Sequence, residues 1–76
     1  MNEIREHDRV VLTTDLATEK LAAGDVGTVV HVYQGAGAFE VEFVALDGKS
    51  VAVVTLEQAQ VRPVEHREIT DARRVA

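Results

Sequence analysis

Gly24-Asp25-Val26-Gly27-Thr28-Val29-Val30 decides how this chain folds. Two glycines bracket an aspartate and a valine, and a β-branched run follows at once. Glycine tolerates backbone angles closed to other residues and lets neighbouring strands approach closely. Valine-rich runs suit a pleated, half-buried strand. The stretch therefore predicts a tight turn entering a long strand, Val26 to Tyr33.

On the N-terminal side, Arg9-Val10-Val11-Leu12-Thr13 predicts a first strand. Between the two strands lies Thr14 to Ala23, whose alanines, Glu19 and Lys20 would tolerate a short helix. A long loop is the preferred reading, with Leu16 and Leu21 closing one end of the core. Beyond Tyr33, Gln34-Gly35-Ala36-Gly37 supplies a tight connection. Ala38 to Val44 then alternates, with Phe39, Val41 and Phe43 facing one way and Glu40 and Glu42 the other. Asp47-Gly48 is a strong hairpin signal and leads into a fourth strand, Ser50 to Leu56. Glu57-Gln58-Ala59-Gln60 suits a single 3₁₀ turn. Val61-Arg62-Pro63-Val64 is a last short strand, placed at an edge because Pro63 has no N–H for a ladder.

Five short strands joined by hairpin-type turns predict an all-β fold: one small SH3-like five-stranded barrel over residues 1–64, followed by a frayed or weakly helical tail over 65–76. Val10, Leu12, Val30, Val32, Phe39, Val41 and Phe43 are the expected filling. Val11, Val29 and part of Val51–Val54 are then left over. Either a strand bend turns them inward, or they form an exposed patch of the kind that marks interfaces.

With 76 residues there is room for one domain, and the absence of cysteine rules out disulfides and thiolate metal sites. A chain of this size buries only about 60% of its unfolded surface, so packing, a partner or self-association must supply its stability. The lack of cysteine and of a signal-like or membrane-spanning apolar segment leads to the expectation of a cytoplasmic protein. The net charge is −5, and residues 1–64 carry all of the excess, with ten acidic side chains against five basic ones. Nucleic-acid binding draws much of its affinity from cations that displace counterions, so this balance argues against it.

The Gly24–Val30 turn, Glu40-Val41-Glu42-Phe43-Val44, Asp47-Gly48 and Leu56 to Pro63 resemble an uncharacterised bacterial family, "domain of unknown function 4926", over about residues 6–64. That resemblance implies a small SH3-like barrel with no established activity. The same glycine turn is more loosely similar to that of KOW-type barrels in ribosomal and transcription proteins, from which this chain departs in its acidic charge.

Candidate functional residues are few. His7, His31 and His66 lack metal-site spacing, and no metal or cofactor is expected. Glu40 and Glu42 share one strand face, which reads first as a solvated face and second as half of an acid/base or metal pair. Tyr33 is the aromatic best placed at a barrel rim, though one tyrosine cannot form an aromatic cage. The candidate partner-binding residues are thus Tyr33, Val29, Glu40 and Glu42. The expected function is a non-enzymatic protein-binding module for a basic partner, one form being an antitoxin- or immunity-like neutraliser. Alternatives are a KOW-like RNA or ribosome contact and an accessory barrel of a larger enzyme. An independent enzyme is the least expected class, and self-association stays open.

Overall fold

A computed structural model of the protein describes residues 4–35, 37–45, 48 and 51–64. Every regular element the sequence predicts is present, within a residue or two at the ends: β1 (Arg9–Leu12), β2 (Val26–Tyr33), β3 (Ala38–Val44), β4 (Val51–Glu57), a 3₁₀ turn (Gln58–Gln60) and β5 (Val61–Pro63). The protein is all-β, with the five strands forming one antiparallel sheet in the order β4-β3-β2-β1-β5. The ladder ends at β4 and β5, which do not pair with each other among the described residues, so hydrogen bonding leaves the sheet open. The tail 65–76, the residues Leu46, Asp47, Lys49 and Ser50, and His66 lie outside the described residues.

Thr14 to Ala23 is a loop, as preferred, and not a helix. Leu16 and Leu21 form an isolated bridge across it and pack against the core. Two aspartates hold its shape: Asp15 Oδ1 accepts the Ala23 N–H at 2.9 Å and Asp25 Oδ2 accepts the Ala22 N–H at 2.9 Å. Such side-chain bonds to nearby backbone favour turns over helix. Gly24 then enters the left-handed region at φ 99° and donates its N–H to Leu12 O at 2.8 Å.

The core comprises Val10, Leu12, Val29, Phe39, Val41, Phe43, Leu56 and Val61, with Ile4, Leu16, Leu21, Val32 and Val54 packed partly buried against it. Val11, on the opposite face of β1, is buried as well, level with Val26 and Arg62. The position expected of Val30 is corrected: Val29 takes the core site and Val30 is 41% exposed. The cause is a bulge in β2. Val29 pairs with Val41, but Glu40 pairs with His31, so one extra residue is inserted and the facing changes along the strand.

Gly27 has a different role from Gly24. A Cβ there would lie 2.6 Å from Val41 Cγ1, 2.8 Å from Phe43 Cε1 and 3.0 Å from Glu42 O. β2 is therefore free of a side chain where the two core residues of β3 press against it. Gly27→Ala should cost about 1–3 kcal/mol through overpacking, read as a lower urea midpoint at unchanged slope. Gly48 has φ +72°, and a Cβ there would meet nothing within 4 Å. Asparagine visits that left-handed backbone more readily than other residues with a side chain, so Gly48→Asn should destabilise less than Gly48→Val in the same measurement.

Candidate functional site

β2, β3 and β4 contain no lysine or arginine, and their outer face carries the chemistry of this domain. The register brings His31 and Thr55 level with Glu40 from either side, and Thr28 and Val53 level with Glu42. At the centre is Glu40. Its Oε2 accepts the Tyr33 hydroxyl at 2.5 Å and the Thr55 hydroxyl at 2.6 Å. The edge of one ring faces the other between His31 and Tyr33, with centroids 4.7 Å apart. His31 Nδ1 lies 3.8 Å from Glu6 Oε2, a contact that becomes an ion pair only when the imidazole is protonated.

The strand geometry explains why Thr55 reaches Glu40. Gln58 N donates to Gly37 O, towards β3, while Glu57 N donates away from it, to Gln60 Oε1. N–H groups alternate sides along a strand, so Thr55, like Glu57, is in a non-hydrogen-bonded pair with β3. Those pairs bring side chains closest together. The bulge in β2 does the rest, setting His31 opposite Glu40 and Tyr33 diagonal to it.

The electrostatics follow from these contacts. The Thr55 hydroxyl, then the Tyr33 hydroxyl and the nearby His31, hold Glu40 below the ordinary carboxylate range. Donating to Glu40 pushes the Tyr33 phenol above its ordinary value. Both shifts stabilise the resting charge states, carboxylate and neutral phenol. An acid/base catalyst needs the reverse, a group poised to exchange its proton near the working pH.

Three of the four expected partner-binding residues lie on this face. Tyr33 and Glu40 are in direct contact, and Glu42 is one pair further along β3. Val29 is removed from the set: at 0% exposure it is a core residue, turned inward by the bulge. The sequence reading missed Thr55, Glu6, and the exposed Val30 and Val44. Among the described residues no group of three or more His, Asp or Glu is arranged to hold a metal ion, and no helix is long and apolar enough to cross a membrane.

Tyr33 is the sole tyrosine and the chain has no tryptophan, so its ionisation can be followed directly by ultraviolet absorbance. Its alkaline transition should lie above that of free tyrosine, and Glu40→Gln should move it down. Because the folded-state pKa of Glu40 is depressed, its stabilising effect is present above the unfolded carboxylate pKa and fades as pH falls through the folded value. The stability difference between parent and Glu40→Gln should therefore shrink in acid, as read by urea unfolding at neutral and acidic pH. No curated protein and no solved structure matches this chain. Residues 6–63 match the model of the family described as a domain of unknown function (DUF4926), and the chain belongs to that family.

Proposed function

We propose that this domain is a non-enzymatic protein-binding module, presenting the outer face of β2, β3 and β4 to a basic partner. One observation carries the reading: three consecutive strands without a single Lys or Arg expose Val30 and Tyr33 beside Glu6, Glu40 and Glu42. Exposed apolar side chains at a polar rim are a common signature of interaction surfaces. The carboxylates give that surface one sign of charge, which steers a basic partner and rejects acidic ones.

The same feature weighs against an RNA or ribosome contact, since phosphate recognition needs cations on the binding face. The Tyr33–Glu40–Thr55 network supports a binding role over a catalytic one. It holds a tyrosine ring in one orientation, and a rigid ring contributes contact area at low entropic cost. A neutraliser of a basic protein, of the antitoxin or immunity type, is one form this role takes. A bacterial cytoplasmic setting fits it, and docking onto a larger enzyme would use the same chemistry.

The test is capture on the immobilised domain from nuclease-treated lysate of the organism that encodes it, then titration of the purified captured protein. We expect a basic protein whose affinity falls with added salt and drops about tenfold or more on Glu42→Lys or Tyr33→Ala. Retention of nucleic acid in place of protein, or binding indifferent to both substitutions, would overturn the proposal.

A further inference from the structure

The two edges of the sheet are not alike. β5 is three residues long and contains Pro63, a combination that blunts an edge against pairing. β4 runs for seven residues with no proline, lysine or arginine, and its only charge is the terminal Glu57. Nothing among the described residues pairs with its outer side. By the alternation set at Gln58 and Glu57, Val51, Val53 and Thr55 turn their N–H and C=O groups outward, away from β3. Glu57 is already closed, because Gln60 Oε1 accepts its N–H at 2.8 Å. The side chains beside this edge are also apolar and open: Val51 is 54% exposed, Val53 55%, and Val44, level with Val51 on β3, 55%.

From this we infer that β4 pairs antiparallel with β4 of a second copy of the chain, with the two-fold axis at Val53. The argument for a second copy is self-complementarity. With Val53 opposite Val53, Val51 falls opposite Thr55 in both directions. All three outward-facing residues of each strand then find partners, about six hydrogen bonds in total. The same register brings the two Val53 side chains together at the axis, with Val51 and Val44 of each copy continuing the apolar surface diagonally to either side. It places the two Glu57 residues beyond the outermost pairs, at opposite ends, so no like charges meet at the centre. From Val51 to Leu56 the edge strand offers no charge of its own, Glu40 and Glu42 lying one strand inward, so an uncharged strand complements that edge. The pairing uses the outward backbone groups of β4, those of Thr55 among them, and does not rest on the proposal of a basic partner. It also closes: a two-fold interface consumes β4 in both copies and leaves only the blunted β5 edges.

Sedimentation equilibrium and site-resolved amide exchange test this. The parent should shift with concentration from the 8.3 kDa of the chain to twice that mass and no further, with amides 51, 53 and 55 slowing as dimer forms. Each copy carries −5, so added salt should tighten the dimer, the opposite of its effect on a basic partner. Val53→Pro removes only an outward N–H and leaves the β3 ladder intact. It should be monomeric where the parent is mostly dimer, with a dissociation constant raised at least tenfold. Val53→Lys, which keeps the backbone unchanged, should do the same if the proline variant folds poorly. A parent that stays monomeric to about millimolar concentration, at an edge strand expected to pair, would overturn the inference. So would assembly beyond a dimer, or dimerisation unaffected by Val53→Lys. Protection of the edge amides only on adding a captured basic protein would assign the edge to that protein and equally refute self-pairing.

Discussion

The extra residue that β2 carries between Val29 and His31 partitions this small domain into inside and outside. At the bulge, the N-terminal segment is bonded to β2 through Val29: its N–H donates to Asp8 O at 2.9 Å and its carbonyl accepts the His7 N–H at 2.7 Å. Val29 is thereby fixed in the core, and Val30 and His31 both face solvent in succession. A strand of strict alternation would have buried either Val30 or Val29 at the cost of the other's face. It could not have set His31 opposite Glu40 while keeping Val29 against Val41. Core and outer-face network depend on the same irregularity, a common use of bulges near functional surfaces.

The strands are legible in the sequence because the signals for them are local. Alternation in Phe39-Glu40-Val41-Glu42-Phe43 and the glycine turn at Gly24 each point to one conformation, and the structure adopts it. Gly24 and Gly27 are readable as geometric requirements, one a left-handed turn and the other a close approach to Val41 and Phe43. Part of the site is legible as well. A hairpin centred between positions 47 and 48 places Glu40 opposite Thr55 and Glu42 opposite Val53, which is the register observed. Thr55 could have been found by that count.

Other features depend on contacts that sequence spacing does not encode. The bulge is one: nothing in Val29-Val30-His31 differs from an unbroken strand, and the bonds that hold it come from His7 and Asp8. Periodicity therefore assigns Val29 and Val30 to the wrong faces. Glu6 is invisible for the same reason, since its place beside His31 follows from where the N-terminal segment crosses β2. The leftover valines allow either a bend or a patch, and both occur. The bend accounts for Val29, while Val51 and Val53 remain exposed on β4.

The pairing of β1 with β5 sets the order in which the fold can be completed. β2, β3 and β4 are joined by short turns and can assemble as their residues emerge during synthesis. β1 is made first, yet one of its two ladders waits for Val61, Arg62 and Pro63. Until then Val10, Val11 and Leu12, three adjacent apolar residues, lack part of their final cover. The chain thus holds this apolar run only partly covered until β5 has been made. Closure is a late, long-range event, with the loop Thr13–Gly24 tethering that strand to the meander in the meantime.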